Sequence, residues 1–314
     1  MSLNIGIDVG GTKVLAGVVD NSGKIIEKVR RETPFEGGEA LIAVIAAAAR
    51  ELLNKYEVSG IGICSAGFFD ADRRTIIANP NIANWNGVKL ADELENILKR
   101  PVILENDANA AAWGERQHGA GAGAKELVML TIGTGLGGGM ITDGKIFHGS
   151  RGSAAEFGHM RAVPEGHLCG CGLRGCYEQY ASGSALMRHA REAIAASPEL
   201  SRALLARGNG TIEGLTGENL TEAAKSGDSV AIAAFRTTGR WIGALCAALE
   251  AALDPARIVI GGGVIAAGEI LMDPIRESMR ELSLFVGRRS LPELVPASLG
   301  NDAGLIGVAD LSRN

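Results

Sequence analysis

The sequence predicts an α/β protein built as two related domains around a cleft. Three observations carry that expectation. The first part of the chain reads in the order βββαβαβα, which implies a mixed sheet, because parallel neighbours need helical crossovers. A second, longer run of the same kind opens near Leu127, again with an apolar strand that ends in glycines. At 314 residues the chain also exceeds the ~250–300 residues at which single cores stop growing.

Ile5 to Val9 alternates as a strand, Val14 to Val19 follows Gly10-Gly11, and Asn21-Ser22-Gly23 turns the chain into Ile25 to Val29. Glu39 to Tyr56 is rich in alanine and leucine and reads as a helix. Ile61-Gly62-Ile63 is a short buried strand, Leu90 to Lys99 a helix, Val102 to Leu104 a strand and Asn109 to Gln117 a helix. In the second run, the strand Leu127 to Ile132 enters a glycine loop, Gly133 to Gly139. Met140 to Thr142 and Lys145 to Phe147 form a hairpin about Asp143-Gly144. Helices are expected over Gly183 to Ala196, Asn219 to Lys225 and Val230 to Leu253. The strand Ile258 to Ile260 then leads through Gly261-Gly262-Gly263 into another helix. The closing helix, Ala303 to Leu311, is expected to return to the first domain. The expected division is therefore 1–118 plus 302–314 against 119–301.

Composition narrows the partners. A hydrophobic content of 46% with 21% charged residues describes a soluble globular protein. A net charge of −5 offers no basic excess for duplex nucleic acid, so an anionic ligand has to be held locally by backbone N–H groups and a metal. Apolar runs such as Ala43 to Ala49 are too short to span a membrane. The opening residues lack a secretory pattern, which predicts a cytoplasmic protein whose Cys64 and Cys246 are buried and reduced.

The most informative cluster is His159, Cys169, Cys171 and Cys176, four ligands within eighteen residues. Three thiolates and an imidazole are what a closed, structural Zn²⁺ site takes. Gly170, Gly172 and Gly175 allow the tight turns between them. A disulfide with a spare thiol is the alternative, and it is disfavoured in a chain without an export signal. Glu156 and Glu178 flank the cluster, so the knot would also fix two acids.

Three glycine loops follow strands. In Asp8-Val9-Gly10-Gly11-Thr12-Lys13, bare backbone can donate to phosphate oxygens and Asp8 can hold Mg²⁺. Taken alone, that loop reads as a hairpin turn before it reads as a phosphate site, since neither P-loop nor dinucleotide spacing is present. A matching loop at Gly133-Thr134-Gly135, and a third at Gly261-Gly262-Gly263-Val264, favour a nucleotide site. Asn106-Asp107 begins a helix at the carboxyl end of a strand, where an N-cap and a ligand-binding carboxylate are equally at home. Glu105 beside it leaves the choice of base open on residue chemistry alone.

These motifs resemble the ROK family (repressors, open reading frames and sugar kinases) of the hexokinase–actin superfold. The runs concerned are D-x-G-G-T-K at 8–13, E-N-D-A-N at 105–109, T-I-G-T-G-L-G-G-G at 131–139, and E-F-G-H through C-G-C-G-x2-G-C-x-E at 156–178. Within the family the zinc run looks most like the bacterial glucokinases. The resemblance implies two ribonuclease-H-like domains and transfer of the γ-phosphoryl of MgATP to the 6-hydroxyl of glucose, with Asp107 as general base. Asn106, Glu156, His159 and Glu178 would bind the other ring hydroxyls, with Gly67 and Asn81 at the pocket edge. His159 would use its second ring nitrogen for zinc. Asp8 would organise Mg²⁺, Gly10, Gly11, Thr12, Lys13, Gly133, Thr134 and Gly135 would hold phosphates, and Gly261, Gly262, Gly263 and Val264 would lie by the adenosine. It also implies a homodimer or homotetramer. The alternatives are a kinase for another hexose, such as mannose or N-acetylmannosamine, or a non-catalytic sugar-sensing regulator. The latter is disfavoured because the phosphate loop begins at Asp8, which leaves no length for a DNA-binding domain ahead of it.

Overall fold

The computed structural model describes residues 2–79 and 81–313. It divides into two compact units, one of Met1–Met129, Gly139–Ala155 and Ala297–Asn314, the other of Leu130–Gly138 and Glu156–Pro296.

The first unit opens with the antiparallel meander β1 (Asn4–Val9), β2 (Lys13–Val19) and β3 (Ile25–Glu32), followed by α1 (Gly38–Leu53) and β4 (Ile61–Ser65). A small hairpin, β5 (Phe68–Phe69) and β6 (Ile76–Ala78), precedes α2 (Leu90–Leu98), β7 (Val102–Asn106) and α3 (Asp107–His118). The sheet order is β3-β2-β1-β4-β7. β1, β4 and β7 run parallel, with Val9 opposite Ser65 and Ser65 opposite Asn106. Their carboxyl ends therefore lie side by side, which is where open α/β sheets bind ligands. Ile5, Ile7, Ile61, Ile63 and Leu104 are buried, as expected for strands covered on both faces.

The second sheet has the order β10-β9-β8-β11-β12, from β8 (Leu127–Ile132), β9 (Leu136–Thr142) and β10 (Lys145–Ile146). The helices α4 (Gly183–Ala196), α5 (Arg202–Ala206), α6 (Gly217–Lys225) and α7 (Ser229–Leu253) follow, then β11 (Arg257–Gly261), α8 (Glu269–Leu282), β12 (Glu293–Pro296) and α9 (Ala303–Leu311). β11 and β12 are parallel.

α9 packs onto the first sheet through bare backbone. A Cβ at Gly6 would lie 2.0 Å from the Leu305 carbonyl oxygen, and one at Gly62 would lie 2.0 Å from that of Val308. No side chain fits in either place. The Glu115 carboxylate, fully buried on α3, secures the chain just before α9. It accepts from the backbone N–H groups of Ala120 (2.7 Å), Ser298 (2.9 Å) and Leu299 (2.7 Å).

Several elements differ from the sequence reading. The second glycine loop is shorter than expected, because Gly137, Gly138 and Gly139 lie within β9. A Cβ at Gly139 would meet the Ala108 carbonyl oxygen at 2.7 Å, so this glycine serves helix packing rather than a ligand. After β11 a 3₁₀ turn, Gly263–Ala267, intervenes before α8. β5, β6, α5 and β12 were not expected, each having only two to five residues, too few to show a period.

Candidate active site

The first loop is a hairpin turn between β1 and β2 that leaves backbone facing outward. The Gly10 N–H donates to the Lys13 carbonyl at 2.9 Å, and the Thr33 hydroxyl donates to the Gly10 carbonyl at 2.7 Å. A Cβ at Gly11 would come within 3.1 Å of the Asn81 carbonyl oxygen, so Asn81 borders this loop. Thr12 is exposed and Lys13 half-buried. Asp8, the penultimate residue of β1, has its carboxylate 3.9 Å from the Cys64 sulfur. Burial first, and then the like charge of Asp107, push Asp8 up to about 6, against the opposing pull of Lys13.

At the end of β7 three consecutive polar residues take three different tasks. Glu105 is buried and neutralised. Arg73 bonds its Oε1, His148 Nε2 lies 2.9 Å from its Oε2, and Asn109 Nδ2 and the Asn106 N–H donate to Oε1 at 3.1 and 2.9 Å. Asn106 caps α3, its Oδ1 accepting from the N–H groups of Ala108 (2.9 Å) and Asn109 (3.2 Å). Its Nδ2 donates to the Gly67 carbonyl at 3.3 Å. Gly67 itself sits at φ +112° with the Ala78 carbonyl oxygen 2.4 Å from where a Cβ would be, so only glycine fits. Asp107 accepts from the Ala108 N–H at 2.9 Å and has no ion-pair partner among the described residues. Its side chain reaches solvent, yet the protein packed around it pushes its carboxyl above the usual range. A carboxylate that is open to a reactant but poorly solvated is suited to proton transfer.

In the second unit, Glu156 leads into the 3₁₀ turn Phe157–His159 and is exposed. The ligand atoms of His159, Cys169, Cys171 and Cys176 all lie within 4.8 Å of one another. Cys171 and Cys176 sulfurs are 3.7 Å apart, and Cys169 Sγ is 3.7 Å from His159 Nδ1. A tetrahedron with metal–sulfur bonds of about 2.3 Å has edges of about 3.8 Å, so the donor set fits Zn²⁺. A disulfide, at about 2.05 Å, does not fit, and the cysteines are free. Burial and the neighbouring thiols push Cys176 up to about 12, so a thiolate there needs a cation beside it. With Nδ1 turned to the cluster, His159 Nε2 is the nitrogen left for a ligand. Glu178 lies in the turn Tyr177–Gln179 directly after the last thiol, with Oε1 3.5 Å from Cys169 Sγ.

A cavity of about 730 Å³ opens in the same unit. Gly133 and Thr134 line one side, Gly263 and Val264 another, and Gly183 and Ser184 at the start of α4 a third. The Gly183 N–H donates to the Gly133 carbonyl, and the Ser184 hydroxyl to that of Thr134, both at 2.8 Å. Gly135, Gly261 and Gly262 are not among the lining residues. Gly262, at φ +88°, lies against Ile132, where a Cβ would meet its carbonyl oxygen at 2.4 Å.

Residues 4–314 match the ROK family. The chain belongs to the ROK family. It is 44% identical over 313 residues to the glucokinase of Streptomyces coelicolor, covering all of this chain and 98% of that one. The glucokinase of Thermotoga maritima is 38% identical over 98% of this chain and 96% of its own. Among solved structures, a ROK glucokinase from Streptomyces griseus in complex with glucose and AMPPNP superposes with a TM-score of 0.90 at 46% identity, covering 99% of each chain. The fold is the α/β fold of the ROK sugar kinases.

Within this ROK fold, sequence reasoning missed Arg73 and His148, which hold the Glu105 carboxylate, and Asn79. Asn79 is buried and bonds the Ser65 hydroxyl (3.2 Å), the Ala66 carbonyl (2.6 Å) and the Asn81 N–H (2.9 Å). The Asn79-Pro80-Asn81 run was the one local hint of it. No helix among the described residues is long and apolar enough to cross a membrane.

Proposed function

We propose that this chain is an ATP-dependent glucokinase that moves the γ-phosphoryl of MgATP to the 6-hydroxyl of glucose. The observation that carries the reading is the contrast at the β7–α3 junction. Glu105 is spent on Arg73 and His148, whereas Asp107 is unpaired, solvent-reachable and raised in pKa. Its likeness to a glucokinase that binds glucose and AMPPNP supports the substrate pair.

Asp107 takes the proton of the 6-hydroxyl as that oxygen attacks phosphorus, help worth about 10²–10⁴-fold in rate. Asn106, Glu156, His159 and Glu178 read the remaining hydroxyls, with Gly67 and Asn81 at the edge of the pocket. The loops Gly10 to Lys13 and Gly133 to Gly135 hold phosphates, and Gly261 to Val264 flank the nucleoside. Asp8 holds Mg²⁺, which neutralises charge on the β- and γ-phosphates when bound. Zn²⁺ held by His159, Cys169, Cys171 and Cys176 would fix His159 and, through the turn at Tyr177–Gln179, Glu178. The proposal includes a cytoplasmic homodimer or homotetramer, as the family resemblance implies, and a catalytic division at 1–118 plus 302–314 against 119–301.

The test is ADP release with ATP and a panel of glucose, mannose, fructose and N-acetylmannosamine. Glucose is expected to give the highest kcat/KM. Polar groups that a bound sugar shields from water without offering a hydroxyl partner cost about 1–3 kcal/mol each. A clear preference for the N-acetylated sugar would overturn the glucokinase reading and leave the wider sugar-kinase one.

A further inference from the structure

Glu178 belongs in sequence to the metal knot, but its carboxylate is held by the glycine turn between β8 and β9, 42 residues away along the chain. The Leu136 N–H donates to Glu178 Oε2 at 3.1 Å. A Cβ built on Gly135 would lie 2.4 Å from that same oxygen and 3.2 Å from the carboxyl carbon. The turn thus accommodates the carboxylate twice, by a donor that is present and by a side chain that is absent. The next residues of the turn, Gly133 and Thr134, line the 730 Å³ cavity and bond the first turn of α4. One short loop therefore touches both the cavity and the acid.

We propose that Gly135 and the Leu136 N–H are positioning groups for Glu178, so that the phosphate loop sets glucose affinity even when no nucleotide is bound. This rests on the reading of Glu178 as a sugar contact. A free glutamate side chain must surrender rotamer freedom when it meets a ligand. One already held by a charge-assisted hydrogen bond does not, and binding strengthens accordingly. An alanine at 135 needs Glu178 to move, and the atoms it meets are the end of a flexible side chain rather than backbone. The fold accommodates it, while the carboxylate loses the Leu136 bond.

The experiment measures glucose dissociation constants by titration calorimetry without nucleotide, with zinc content read on the same samples. The proteins are wild type, Gly135→Ala, Glu178→Ala and the Gly135→Ala/Glu178→Ala pair. Gly135→Ala is expected to weaken glucose about tenfold with zinc retained. The double variant should bind no more weakly than Glu178→Ala alone, because the two changes act through one group. Wild-type affinity in Glu178→Ala would remove the sugar contact itself and the proposal with it. Weak binding in Glu178→Ala combined with full affinity in Gly135→Ala would overturn the positioning role and leave the contact standing. Additive losses in the double variant, or zinc loss from Gly135→Ala, would likewise overturn it.

Discussion

Replacing Asp8 by asparagine is expected to stabilise the ligand-free protein while removing its activity. Burial and the charge of Asp107 raise the Asp8 pKa from 3.8 to about 6. The folded-state pKa therefore lies above the unfolded one, and the ionised carboxylate is penalised only in the folded state. The stability associated with the protonated acid is fully present below about pH 4 and is lost as pH rises through about 6. At about 1.4 kcal/mol per pH unit, the penalty at neutral pH reaches at most about 3 kcal/mol. Partial contact with water brings the expected gain in Asp8→Asn to about 1–3 kcal/mol. That corresponds to a rise in Tm of about 2–4 °C for each kcal/mol. Asparagine keeps the shape of the side chain and carries no charge. The assay is thermal and urea unfolding of both proteins at pH 7 and near pH 4, without and with MgATP. The gain should vanish near pH 4, and MgATP should narrow it at pH 7, because a bound cation neutralises the same charge. An asparagine variant no more stable than wild type at pH 7, or a gain unchanged near pH 4, would refute the reasoning. Such a stored penalty is what a site exchanging stability for a charged ligand should contain.

Three further outcomes are expected. Asp107→Ala should keep its fold and measurable glucose binding but lose about 10²–10⁴-fold in kcat, and turnover like wild type would remove Asp107 from the base role. Cys171→Ser should lower zinc below about one ion per chain and raise the glucose KM together with that loss. Full activity in metal-free protein would reject the zinc site. Glu115→Ala should cost about 3 kcal/mol or more in urea unfolding, because three backbone N–H groups lose a buried acceptor. Glu115→Gln, which keeps an acceptor, should cost less, and a loss under about 1 kcal/mol in the alanine variant would show that the anchor before α9 is dispensable.

What could be read from the chain alone was local. The four metal ligands fall within eighteen residues, so their convergence needs only tight turns, and Gly172 and Gly175 do adopt positive φ there. Strands β1, β8 and β11 show as apolar runs closed by glycines, and α4 carries a helical period. The glycine loops at 10–13 and 133–135 announced themselves as turns after strands. Tertiary structure decided matters of distance. Glu105 and Asp107 are two acids two residues apart, and nothing in their neighbours separates them. Arg73 and His148, 32 and 43 residues from Glu105, bond one and leave the other. Asn106 takes the helix cap, because its side chain accepts from the N–H groups of Ala108 and Asn109. Gly6 and Gly62 fall inside expected strands and Gly139 at the end of an expected glycine loop, yet each is where a helix backbone approaches too closely for a Cβ. The Leu136 N–H on Glu178 has no sequence signal at all, since a backbone donor is the same at every residue and only packing selects which acceptor it meets.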